Sequence, residues 1–219
     1  MGDASGDEGW PADPTPDLEV GVGPHPQPWP DDPHLDPELL RDGDRRNVID
    51  RYRYWLLDAI VADLDLHRHE FAVAIENWHH DRNIGTIVRT ANAFLAREVV
   101  IVGRRRWNRR GAMVTDRYQH IVHVSDVPEL VEHAHAADLT IIGIDNLPGA
   151  VPIETTPLPR KALLLFGQES VGLTDEARAA CSIVCSIAQY GSTRSINAGV
   201  AAGIAMHAWV RAHARPAQP

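Results

Sequence analysis

Two cysteines occur in the 219 residues, Cys181 and Cys185, four apart and without a second Cys or His pair at metal-ligand spacing. That excludes a disulfide scaffold and a finger-type zinc site, and leaves both thiols as reduced apolar filling. No run of 18 apolar residues is present, and the N-terminus lacks a charged-then-apolar leader with a small-residue cleavage site. A soluble, cytoplasmic protein with no membrane partner is therefore expected. Lys and Arg are missing from the first 40 residues, which hold nine of the 16 prolines and ten acidic residues. Such a stretch has no periodic apolar pattern to offset the entropy of ordering it, and residues 1–44 are expected to be a disordered acidic tail.

Setting that tail aside changes the meaning of the net charge of −9. Twenty acidic residues then face all 21 basic ones, so residues 41–219 are close to neutral. The acidic balance of the whole chain does not exclude a nucleic-acid partner. Five arginines cluster in Arg104, Arg105, Arg106, Trp107, Asn108, Arg109 and Arg110.

Past the tail, Val48, Tyr52, Trp55, Leu56, Ile60 and Leu64 recur near a 3.6-residue period, which predicts one amphipathic helix over Arg45–Leu66 capping a domain of residues 45–215. Strands are expected at Phe71–Ile75, Glu98–Val102, Ile121–Val124, Leu139–Ile144, Leu163–Phe166 and Ile183–Ile187. Helical patterns follow Asn83, run from Val127 to Ala137 and from Thr174 to Ala180, and close the domain from Ser195 to Ala212. Thr174 suits a helix N-cap. Alternation of strands and helices predicts an α/β fold, a mostly parallel sheet with helices on both faces. The proline-rich stretch from Pro148 to Pro159 reads as a loop within it.

Three segments stand where a strand gives way to a loop or helix, the edge at which parallel sheets bind ligands. The first runs from Glu76 and Asn77 to Asn83 and Arg89. Gly167-Gln168-Glu169-Ser170-Val171-Gly172 forms the second, and its glycines permit close backbone approach to a ligand. The spacing is not a dinucleotide fingerprint, lacks the lysine of a phosphate-binding loop, and puts Ser170 one place away from a hydrolase elbow. The third runs from Ala188 to Asn197 into a helix of small residues, Ala198 to Ala205, bare enough to pack tightly against a core or a partner subunit.

In this order the segments resemble the SpoU-type RNA 2′-O-ribose methyltransferases of the SPOUT superfamily. Asn77, Asn83 and Arg89 match the first motif, Leu163 to Glu169 with Gly172 and Leu173 the second, and Ile187 to Gly191 with Ser195, Ile196 and Asn197 the third. The resemblance covers Phe71 to His213. It implies a C-terminal deep trefoil knot, an exception to the unknotted rule, and a homodimer packed through it.

The same resemblance implies S-adenosylmethionine held by Ile144, Asp145 and Asn146, by Phe166, Gly167, Gln168 and Gly172, and by Ile187, Ala188, Gly191, Ser195 and Ile196. Methyl transfer to a ribose 2′-hydroxyl of tRNA or rRNA would then involve Arg89, with Asn83 and Asn197 orienting the ribose or the arginine and Glu169 and Ser195 organising the site. Two positions depart from the pattern: Ala188 stands where many relatives have Pro, and Gln189 where an apolar residue such as Met is common. Recognition of RNA is expected from the domain's own surface, through Arg104, Arg105, Arg106, Arg109 and Arg110 on phosphates and Trp107 on a base. The bland reading of that cluster is a solvated loop. A knotted RNA-binding protein without catalysis and a base-methylating SPOUT enzyme are the rival functions.

Overall fold

The computed structural model describes residues 21–78, 83–168 and 171–214. The chain divides between Leu56 and Leu57 into two compact units.

In the N-terminal unit, α1 (Pro37–Asp42) starts where Asp36 accepts from the Glu38 amide at 2.9 Å and stops at Gly43, whose φ of 91° an L side chain resists. The organising group is Asp44, with no exposed surface. Its carboxylate accepts from Arg46 Nε at 2.9 Å and Nη2 at 2.7 Å, and from the amides of Arg46 and Tyr54, each at 2.9 Å. Burial pushes this carboxyl up, but the hydrogen bonds outweigh burial and hold it below the usual aspartate range. Antiparallel bridges join Val22 to Asp44 and Leu35 to Trp55.

These contacts correct the expected disorder of residues 1–44 for residues 21–44, where a buried polar hub takes the place of an apolar pattern; residues 1–20 lie outside the described residues. The single helix expected over 45–66 is corrected too. It separates into a 3-10 turn at Asp50–Tyr52 and, in the second unit, α2 (Leu57–Asp65). Tyr54 breaks the path with φ 63° and gives its N–H to Asp44 instead of to a helical carbonyl.

The second unit is built on seven strands: β1 (Ala72–Asn77), β2 (Val99–Gly103), β3 (Ile121–Val124), β4 (Thr140–Ile144), β5 (Val151–Pro152), β6 (Ala162–Phe166) and β7 (Ile183–Ser186). Their order is β3-β2-β1-β6-β4-β7-β5, and every pairing is parallel. β5 was not expected; two residues ending in a proline leave no strand pattern to read.

Alternation along β1 fixes two faces. Val73 and Ile75 join the apolar layer under α3 (Ile84–Ala93) and α6 (Ala198–His213), while Ala72 and Ala74 join the layer under α4 (Val127–Ala136) and α5 (Asp175–Ala180). Leu163, Leu164 and Leu165 of the central β6 are fully buried, as a strand covered on both faces requires. Each such side chain contributes about 1.5–3 kcal/mol by leaving water. Local signals agree with the layers. Asp126 caps α4 by accepting from the Glu129 amide at 2.9 Å, Glu129 accepts from the Ser125 amide at 2.6 Å, and Thr174 caps α5 as expected.

Candidate active site

Because all strands run the same way, β1, β4, β6 and β7 end on one edge, and the loops that leave them meet there. A cavity of about 230 Å³ lies among three of these loops. Ile144, Asp145, Asn146, Phe166, Gly167, Gln168, Gly172, Ile187, Ser195 and Ile196 line it together with Val171, Gln189, Ala198 and Ala201. Ten of the twelve residues expected around a cofactor are thus brought to one place. Ala188 and Gly191 are not among the lining: the Ala188 amide donates to Glu154 Oε1 at 2.9 Å, and Gly191 has open space around its Cα. Of the lining residues missed, Gln189 carried a signal as a polar residue at an apolar position; Ala198 and Ala201 carried none beyond their small size.

The loop after β6 is shaped by its glycines. A Cβ on Gly167 would lie 2.0 Å from the Gly172 carbonyl carbon, and one on Gly172, with φ 75°, would lie 2.3 Å from Asp145 Oδ2. The Gln168 and Gly172 backbones bond to each other in both directions, at 3.1 and 2.8 Å. Carboxylates from the two neighbouring strands then grip the exit: Leu173 N donates to Asp145 Oδ2 at 2.8 Å and Thr174 N to Glu76 Oε2 at 2.9 Å. Glu76 is wholly buried and also accepts from Thr174 Oγ1 and Trp78 Nε1, so its lone pairs are well used. Glu169, expected to organise the site, lies outside the described residues.

Asn83 and Asn197, 114 positions apart, meet: Asn197 Nδ2 donates to Asn83 Oδ1 at 2.9 Å. Asn197 Oδ1 accepts from the Gly199 and Val200 amides, so the same side chain caps α6. It ties the start of α6 to the start of α3, where Gly199 lets the helices approach closely beside Thr86. Arg89 sits on the exposed side of α3, about 9 Å along the helix axis from Asn83, and does not line the cavity. Among the described residues it has no ion-pair partner. Asn146 Nδ2 donates to the Arg194 carbonyl at 3.0 Å, joining the first and third loops beside Ser195.

The arginine cluster leaves the end of β2 on the same edge. Asn77 Nδ2 donates to the carbonyls of Arg104 at 2.6 Å and Arg106 at 3.2 Å, so the first motif holds this loop directly. Gly85 and Gly111 allow backbone contact between α3 and the 3-10 turn Arg109–Ala112; a Cβ on Gly85 would lie 2.7 Å from Ala112 N. Arg104, Arg105, Arg106, Arg109 and Arg110 are exposed. Trp107 differs from these arginines in its exposure. It is half-buried against the apolar core, with the Arg109 guanidinium 5.7 Å from its ring centre. Neither cysteine is a ready nucleophile: burial, then the charge of Glu76, pushes Cys181 up to about 11, and burial also raises Cys185.

Residues 70–207 match the family model described as the SpoU rRNA Methylase family. An uncharacterized tRNA/rRNA methyltransferase of Mycolicibacterium smegmatis is 30% identical over 141 residues, 61% of this chain and 44% of that protein. The chain spans about half the length of the curated relatives it matches. Among solved structures, the SpoU methyltransferase AviRb from Streptomyces viridochromogenes, in complex with AdoMet, is 27% identical with a TM-score of 0.58, covering 68% of this chain and 60% of that one. The A. aeolicus TrmH/SpoU tRNA modifying enzyme, 18% identical with a TM-score of 0.62 over 71% of this chain and 81% of that one, shares the fold. That fold carries a trefoil knot. Among the described residues, no helix is long and apolar enough to cross a membrane.

Proposed function

Because the chain belongs to the SpoU rRNA Methylase family, we propose that it is an S-adenosylmethionine-dependent methyltransferase acting on a ribose 2′-hydroxyl of tRNA or rRNA. The observation that carries this reading is the convergence of three separate loops on one cavity at the C-terminal edge of the sheet. Its lining fits the cofactor. Ile144, Phe166, Ile187 and Ile196 offer apolar walls to a purine, Asp145, Asn146, Gln168 and Ser195 offer polar groups, and Gly167 and Gly172 keep the floor free of side chains. The cofactor supplies a methyl group on a sulfonium, a strong leaving group.

What remains for the protein is alignment and help for a weakly acidic hydroxyl. The Asn83–Asn197 pair holds the starts of α3 and α6 in register beside the cavity. Arg89, as a guanidinium, makes a poor general base. Its contribution is electrostatic, holding a phosphate or steadying negative charge on the ribose oxygen. Val200 and Ile204, exposed at 54% and 39% on α6, support a homodimer packed through this helix.

Transfer from labelled S-adenosylmethionine to unmodified tRNA and rRNA transcripts, with nucleoside mass spectrometry, tests the reading. A 2′-O-methyl product is expected, with Arg89→Ala lowering the rate by about 10²–10³-fold. Product on a base would identify a base-methylating relative. Cofactor binding without transfer to any RNA would favour the non-catalytic RNA-binding reading.

A further inference from the structure

Beyond the arginines, residues 104–117 carry an apolar feature that the methyltransferase reading leaves unused. Met113 and Val114 are exposed at 57% and 54%, large values for neighbouring apolar side chains. Both have left-handed backbones, φ 48° and 69°, a conformation uncommon for methionine and costly for a β-branched valine. The residues on either side are fixed. Ala112 has no exposed surface, Thr115 is 6% exposed and donates from Oγ1 to the Ala112 carbonyl at 2.6 Å, and Tyr118 is buried. The Met113 amide donates to the Arg110 carbonyl and the Arg117 amide to the Val114 carbonyl, each at 3.2 Å. A pinned base on both sides turns this dipeptide outward, and such strain persists only where the surroundings over-determine it.

Charge identifies the occupant. Six exposed arginines at 104, 105, 106, 109, 110 and 117 surround the pair, against the single acid Asp116, a net charge of +5 over 14 residues. An RNA with an unpaired base offers phosphates to the arginines and a flat apolar face to the pair, so it complements both halves of this surface. Trp107 is half-buried against the core, so Met113 and Val114 are the more exposed apolar groups of this surface. We propose that Met113 and Val114 form an apolar tip that packs against an unstacked base of the RNA whose phosphates the surrounding arginines hold. The target segment is then unpaired or locally opened, since a base inside a continuous duplex offers no face to such a tip. The inference rests on the RNA methyltransferase reading and assigns the substrate's form.

The test uses the full chain and two fluorescent RNAs of equal length, one unpaired and one a blunt duplex, titrated at several salt concentrations. The Met113→Ser/Val114→Gly variant is expected to lose about tenfold in affinity for the unpaired RNA, the scale of one base contact, with duplex binding and salt dependence unchanged. Arg109→Ala/Arg110→Ala should weaken both RNAs and flatten the salt slope by about 1–2. Should the glycine variant not fold, Val114→Asn, which tolerates the left-handed backbone, removes the apolar group alone and should show the same selective loss. Variants that bind both RNAs as the wild type does, or that weaken both equally, would overturn the apolar tip while leaving the RNA reading intact. A wild-type protein that binds neither RNA would overturn the RNA reading itself.

Discussion

Asp44 and Leu164 are both fully buried, yet they hold their surroundings by opposite means. Around Leu164, two apolar layers on the faces of a parallel sheet supply many interchangeable contacts. Around Asp44, one carboxylate gathers an arginine and two amides, and Leu40 and Tyr52 are the buried hydrophobic side chains among the described residues of that unit. A short segment cannot bury enough apolar surface to stabilise itself by area alone, and a specific polar hub takes over. The two designs differ in where they are fragile.

Trp209→Ala should have the largest effect. Trp209 is 1% exposed, packs on Phe71 with ring centres 4.5 Å apart, and donates from Nε1 to the carbonyls of Pro159 and Arg160 at 3.1 Å. Losing the ring opens a cavity and strands those carbonyls, at a cost of about 4 kcal/mol in urea unfolding of the sheet unit. Asp44→Asn should cost about 3 kcal/mol, because it removes the buried carboxylate that the half-buried Arg46 charge meets at 2.7 Å. Hydrogen exchange should rise across residues 21–56 and stay unchanged in the strands. Equal rises in both would mean that the two units lose structure together.

Acid titrates the same hub. Folding lowers the Asp44 pKa, so near pH 4 the unfolded chain binds more protons than the folded one and stability rises with pH. The contribution is complete above the ordinary aspartate value of about 3.9 and disappears as pH falls through the lower folded value. Exchange in residues 21–56 should rise in that window in the wild type. In Asp44→Asn it should already be high and show no such step.

The same contrast explains what could be read from the sequence. β6 and β2 are continuous apolar runs, β1 is apolar over residues 72–75, and α4 and α5 carry their caps beside them, so layers and edges were legible. The cavity residues were legible through the family resemblance, and the ends of parallel strands share the edge at which those loops meet. The N-terminal unit was not, since nothing marks Asp44 as buried when its partners are one nearby arginine and two backbone amides. Nor did sequence show that Asn197 would reach Asn83, or that Trp107 would be half-buried against the core: an aromatic among arginines carries no sign of how much of it is covered.

Backbone strain differs between the two units at the scale of single residues. Tyr54 and Val114 sit at φ 63° and 69°, nearly the same positive φ. Tyr54 has a local reason to stay there, since its N–H answers the Asp44 carboxylate. No side-chain acceptor of that kind holds Val114 among the described residues; its neighbours Ala112 and Thr115 are fixed by burial, and the apolar unit imposes the conformation. Val114→Asn should therefore stabilise the sheet unit by about 1 kcal/mol, because asparagine occupies the left-handed region at lower cost than valine. For a unit of this size the melting temperature should rise by about 2–4 °C. Tyr54→Asn should bring no matching gain, because it removes a phenol that donates to the Gly23 carbonyl at 2.6 Å and packs against His25. A fall in melting temperature for Val114→Asn would mean that the valine side chain is held by contacts within the protein. An apolar tip free to meet RNA requires the rise.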